Sequence, residues 1–327
     1  VWSVGGSLNT GRTTAYSAGT ANAALAGGGQ THPTTTADSE EYNGSAWTEG
    51  NNMITSRFGG DAGGTQNAAV MFGGSADCSC TEEYNGTSYA SAGAMNLGRN
   101  SLAGTGTQNS ALAISGYTPN YSTGKSETEL YDGAAWSEVT DTPNQKGNST
   151  AAGSSNAAIT WDGYGSETGG SRRITDIWNG TSWSSGALTV GTLVNNHAGS
   201  GTVNAAFHAG GNAPSPTLPL PTEHFDGTAW SVDGSITDGR MRLRAGKSSQ
   251  SNGLLYGGAN PGGSLTCTEE YNAYYTTGSF GRVETSDVQI AGDSQLVVEN
   301  SLQLPIFTSN TGIVSGAAGQ MWFNSTT

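Results

Sequence analysis

Glu40-Glu41-Tyr42-Asn43-Gly44-Ser45-Ala46-Trp47 carries the pattern on which the chain turns: an acid, an aromatic, Asn or Asp, Gly, then a second aromatic. Asn-Gly and Asp-Gly reach positive φ at low cost. They predict a type I′ turn, with Tyr42 and Trp47 facing each other on antiparallel strands. Such an aromatic pair stabilises a hairpin by up to ~1 kcal/mol. The pattern returns at Glu82, Tyr84, Asn85-Gly86 and Tyr89, and again at Glu129, Tyr131, Asp132-Gly133 and Trp136. Further copies are Asp176, Trp178, Asn179-Gly180 and Trp183, then Glu223, Phe225, Asp226-Gly227 and Trp230. A sixth, Glu269, Tyr271 and Asn272-Ala273, lacks a matching outer aromatic. Ser or Thr precedes every acid (Ser39, Thr81, Thr128, Thr175, Thr222, Thr268), which suits a strand.

Outward from this hairpin, a basic residue follows the outer aromatic at a constant distance: Arg12 after Trp2, Arg57 after Trp47, Arg99 after Tyr89, Lys146 after Trp136 and Arg240 after Trp230. The fifth repeat has Leu193 there. Next comes a short apolar run opened by Asn and usually closed by Gly, as in Asn22-Ala-Ala-Leu-Ala-Gly-Gly and Asn67-Ala-Ala-Val-Met-Phe-Gly-Gly. Such runs predict strands buried on both faces, near an axis where space narrows. One period therefore holds four strands in roughly 42 to 47 residues, the size of a propeller blade. The chain opens on Val1-Trp2-Ser3, an outer strand without its hairpin, and the sixth copy is a hairpin without its outer strand. The expectation is an all-β, six-bladed propeller over residues 1–275, closed by pairing of the Trp2 strand with the Tyr271 strand. Tyr274 and Tyr275 are the competing local partners.

The order apolar-Gly-Gly strand, Tyr strand, Trp strand and Arg resembles the kelch repeat across about residues 1–275. The Tyr–Trp spacing and the regular Asn-Gly turn depart from it, so no kelch partner is carried over. Residues 276–327 read differently. Ser279-Phe280-Gly281-Arg282-Val283-Glu284, Leu302-Gln303-Leu304-Pro305-Ile306-Phe307 and Gly319-Gln320-Met321-Trp322-Phe323-Asn324-Ser325-Thr326-Thr327 resemble the ends of marine phage fibre and appendage proteins. That resemblance implies a virion component whose tail docks on other virion proteins or joins copies of itself. A secreted or cell-surface carbohydrate-binding propeller is the alternative, and a glycan-acting enzyme at the channel mouth the third.

Composition narrows the classes. With 26 acidic and 12 basic residues the net charge is −14, a surface that repels nucleic-acid phosphates and anionic membranes. No apolar run is long enough for a membrane helix. The 51 Gly among 327 residues, about twice the usual share, point to many tight turns. Cys78, Cys80 and Cys267 read as free thiols on strands, because a bridge across two residues is strained and equivalent blade positions lie too far apart.

The acids and bases recur once per repeat, so they are expected to pair and hold strands or blades in register rather than to catalyse. His32, His197, His208 and His224 show no ligand spacing, and His208 sits in a small-residue strand. No cofactor or metal is implied. Loop length varies most at 115–128, 163–174 and 209–222. If these loops share a face, Tyr117, Tyr121, Trp161 and Tyr164 are candidate stacking platforms for a sugar. The remaining repeat residues (Trp2, Tyr42, Trp47, Arg57, Tyr84, Arg99, Tyr131, Trp136, Trp178, Trp183, Phe225, Trp230 and Tyr271) are expected to be structural.

Overall fold

A computed structural model describes residues 1–118, 123–165, 170–171, 173–191, 195–211 and 221–273. The expected C-terminal extension, Tyr121 and Leu193 lie outside these residues. Six antiparallel sheets of four strands form the blades of a propeller. Blade 1 runs outward as Tyr16–Thr20, Ala23–Gly27, Ser39–Tyr42 and Trp47–Glu49. Blades 2 to 5 repeat it with innermost strands Asp61–Thr65, Ala103–Thr107, Thr150–Ser154 and Ala198–Thr202. Blade 6 takes Arg244–Ala245, Asn252–Tyr256 and Thr268–Asn272 from the end of the domain and Trp2–Val4 from its start. Trp2 pairs with Tyr271 in register, so the ring closes as expected and the outer side of the Thr268–Asn272 strand is covered.

Three local expectations are corrected. The Asn-Gly turn is not a two-residue type I′ turn, since Tyr42 and Trp47 face each other across four residues and only Gly44 has positive φ. Asn43 Oδ1 instead accepts the amides of Ser45 and Ala46, and the copies at Asn85, Asp132, Asn179 and Asp226 do likewise. At Asp132 and Asp226 these amides hold the carboxyl below its usual pKa. Next, the strand nearest the axis is the one after the basic residue; the Asn-Ala-Ala strand is second. The inner position belongs to strands such as Ala103-Gly-Thr-Gly-Thr, which carry even less side chain. Finally, Cys78 and Cys80 form a disulfide. A short turn at Ser75–Asp77, with Ala76 and Asp77 at positive φ, brings their Cα atoms to 5.1 Å. Cys267 is free, as expected.

Neighbouring blades are latched by two rows of hydrogen bonds. In the first, the outer aromatic donates to the Ser or Thr before the acid of the preceding blade: Trp47 to Thr268, Trp136 to Thr81, Trp230 to Thr175, Trp2 to Thr222, while Tyr89 Oη bonds Ser39 Oγ. Trp183 reaches the Thr140 carbonyl instead, and Thr128 Oγ1 is accordingly left buried without a partner. In the second row, the inner aromatic of one blade donates its hydroxyl to the residue after the acid in the blade before: Tyr42 to Glu270, Tyr84 to Glu41, Tyr131 to Glu83. Where the next blade has no hydroxyl to offer (Trp178, Phe225), the facing position is apolar, Leu130 or Ile177, and packs against the ring.

Candidate functional site

The repeated charges are spent inside the blades. Arg12–Glu40, Arg57–Glu82, Arg99–Glu129 and Lys146–Asp176 pair at 2.6, 3.2, 2.8 and 2.9 Å, all nearly inaccessible to solvent, and Arg240 pairs with Glu269 in the same way. Each Glu of these pairs also accepts two consecutive amides, such as Asn96 and Leu97 on Glu129. A buried ion pair needs this further satisfaction to offset the desolvation of both charges. The expected pairing within repeats is therefore present in five blades.

On the axis, the residue two after each base has positive φ (Thr14, Gly59, Ser101, Asn148 and Arg242), as does Asn196 of blade 5, three residues after Leu193. Their backbones form a closed circle. Each amide donates to the carbonyl of the equivalent residue in the preceding blade, from Thr14 to Arg242 (2.9 Å) round to Arg242 to Asn196 (2.7 Å). The space beside this circle, about 20 Å³, is room for a single water.

The opposite mouth of the axis opens into a pocket of about 280 Å³. It is lined by Thr65, Thr105, Thr107, Gln108, Asn109, Ser200, Lys247 and several glycines. Five glycines at the end of the inner strands have positive φ (Gly19, Gly64, Gly106, Gly153, Gly201), and a Cβ on Gly64 would lie 2.1 Å from the Ala68 carbonyl. Glycine is needed there because each lies too close to the backbone of the second strand of its own hairpin for a Cβ. Lys247 crosses the axis from blade 6 and is held by Asp61 at 3.2 Å and the Gly104 carbonyl at 2.8 Å.

The described ends of the long loops share a face, that of the amide circle, because each loop follows the second strand of its blade. Tyr117 Oη donates to the Tyr164 carbonyl, joining blades 3 and 4. Tyr117 is 2% exposed and Trp161 fully buried, so neither ring offers a face for stacking; Tyr164 is half-buried.

Trp161 instead packs in a cluster at the seam of blades 4 and 5, with His197 at 6.3 Å, His208 at 6.5 Å and Trp230 at 5.3 Å between ring centroids. Asp162, one residue on, turns into the same cluster. One ligand atom each from Asp162, His197 and His208 lie within 4.8 Å of one another. The absence of ligand spacing in the sequence did not foretell this, because the residues come from two different blades. Thr189 donates to Asp162 Oδ1 at 2.7 Å, while Oδ2 has no partner. Burial, partly offset by His208, pushes the Asp162 pKa up to about 7. Burial holds His197 well below the usual imidazole value, so its ring is neutral. Glu223 is the acid left without a base. It keeps its two amides, from Val190 and Gly191, and has His208 Nε2 at 3.6 Å. Burial opposes its ionisation but is outweighed by His208 and those amides, so its pKa is lowered.

No family model and no curated protein matches the chain. Among solved structures, that of YjhT superposes with a TM-score of 0.66, covering 81% of this chain and 96% of that one at 13% identity, a likeness of fold alone.

Proposed function

We propose that the chain is a non-enzymatic structural protein of a phage virion, a tail fibre, appendage or decoration. Its kelch-like propeller serves as a rigid adhesive or scaffold module, and its C-terminal extension docks on other virion proteins or on further copies of itself. The observation that carries the binding role is the chemistry of the 280 Å³ axial pocket. Its lining sets hydroxyl and amide groups among glycines, Ala68 and Ala152, and its one cation is already engaged by Asp61. Such a surface exchanges hydrogen bonds with a hydroxyl-rich ligand, such as the end of a host surface glycan, and presents no pair of free carboxylates for glycoside hydrolysis. The resemblance of residues 279–327 to phage fibre ends supports the virion location.

Immunogold labelling of intact particles with an antibody against residues 1–275 tests the location. Label on fibres or at discrete capsid sites is the expected result. Protein found only in culture supernatant or on cells overturns it and favours the secreted carbohydrate-binding propeller, which the same pocket suits.

A further inference from the structure

We propose that Asp162, His197 and His208 form a structural site for a divalent first-row transition ion, zinc being the type, at the seam between blades 4 and 5. In five blades a buried acid faces a buried Arg or Lys. Blade 5 has Leu193 at the place of that base, and blade 4 adds a second acid beside it, so among the described residues Asp162 and Glu223 share a buried space with no permanent cation bonded to either. One dication balances two carboxylates.

The polar atoms turned inward there are unused. Both nitrogens of His197, both of His208 and Oδ2 of Asp162 are buried without a hydrogen-bond partner. Five such atoms in one place contrast with the rule that buried polar groups are satisfied. His208 Nε2 lies 4.0 Å from Asp162 Oδ2. A tetrahedral ion with bonds of about 2.0–2.1 Å sets its ligand atoms about 3.3 Å apart, so closure needs only small side-chain rotations. Two imidazoles with one or two carboxylates suit zinc and its neighbours rather than calcium or magnesium, which take oxygen. Glu223, 3.6 Å from the same His208 nitrogen, is the second carboxylate close enough to balance the ion's charge.

The backbone points the same way. The positions equivalent to Asp162 are Gly28, Gly73, Gly210 and Gly257, with Ser115 in blade 3, all at positive φ. Asp162 holds φ +52°. An acid is therefore kept at a strained place where four blades use glycine, and its carboxyl is aimed at two histidines of the next blade. The ion would link the two blades where the guanidinium is missing.

The test uses the full chain, expressed with zinc in the medium, purified without chelator and assayed by mass spectrometry for metal. A second sample is unfolded with chelator and refolded with ZnCl2 or with CoCl2, whose visible spectrum reports tetrahedral coordination. About one equivalent per chain, and a melting temperature raised by the metal, are expected. Asp162→Gly restores the residue other blades use and should fold; it should lower metal content at least tenfold, as should His197→Gln. His224→Gln, outside the cluster, should leave it unchanged, and Glu223→Gln should weaken affinity by about 10–100-fold. Wild-type protein that carries no metal by either route overturns the site. So does metal that Asp162→Gly retains in full.

Discussion

Arg99 shows what each basic residue does. Its guanidinium reaches the Ser115 and Glu127 carbonyls as well as Glu129, and Arg99, Ser115 and Glu129 are all buried. Arg99→Met leaves the Glu129 charge buried without a cation and should cost about 3–5 kcal/mol in urea unfolding. Removing both charges, with Glu129→Met added, should restore most of that loss. The buried tyrosines behave differently, since only their neutral form fits. Tyr16 is raised to about 12 by burial, partly opposed by Arg57; Tyr42 is raised to about 12 by burial and by its bond to Glu270. Both titrate near 10 in the unfolded chain. Their contribution to stability is whole below pH 10 and is lost as pH rises from 10 through 12. Absorbance of tyrosinate at 295 nm should therefore appear for these rings together with loss of the sheet signal in circular dichroism.

At the level of the strand, the residue between acid and aromatic is chosen by the next blade. Leu130→Glu alone would set a carboxylate against the Trp178 ring and destabilise the domain. Trp178→Tyr supplies a hydroxyl in its path, so the pair should couple favourably by about 0.5–3 kcal/mol in a double-mutant cycle. The four strands of each blade, the base–acid pairs and ring closure could all be read from the sequence, because each repeats at constant spacing and each copy corroborates the others; which strand lies nearest the axis could not. The Thr before the acid was visible too, but as a strand former; that it accepts from the next blade's Trp depends on which blades touch. The fifth-blade cluster was hidden for the same reason. Asp162 and His208 are single departures from a repeat, in different copies, and only Leu193 in place of a base marked the region. The Asn-Gly pair points to a two-residue turn, but Asn43 closes a four-residue loop with its side-chain oxygen as well as its own backbone amide, which donates to the Ala46 carbonyl.

On the scale of the whole ring, the strand at residues 1–4, continued by the amides of Gly5, Leu8 and Arg12 on blade 6 carbonyls, holds the two ends of the domain together. Trp2 is buried against Phe207 and Tyr271 and bonded to Thr222. Trp2→Ala should cost about 3–5 kcal/mol, and deletion of residues 1–4 should open blade 6, seen as protease cleavage of the propeller and association through the bared Thr268–Asn272 strand. For binding, Thr107→Trp should fill the axial pocket and abolish attachment to host cells or glycans while leaving the melting temperature within about 3 °C; attachment that survives would move the contact to the loop face. The circle of six amides has one more consequence, for the history of the gene. An open stack of repeats can gain or lose a unit by unequal recombination and still bury its faces. Here a chain of hydrogen bonds returns to its own start, and every copy carries side chains matched to the copy beside it. A duplicated or transplanted blade would break the circle and set a tyrosine hydroxyl against leucine, so the copies can diverge by substitution but their number and order are locked together.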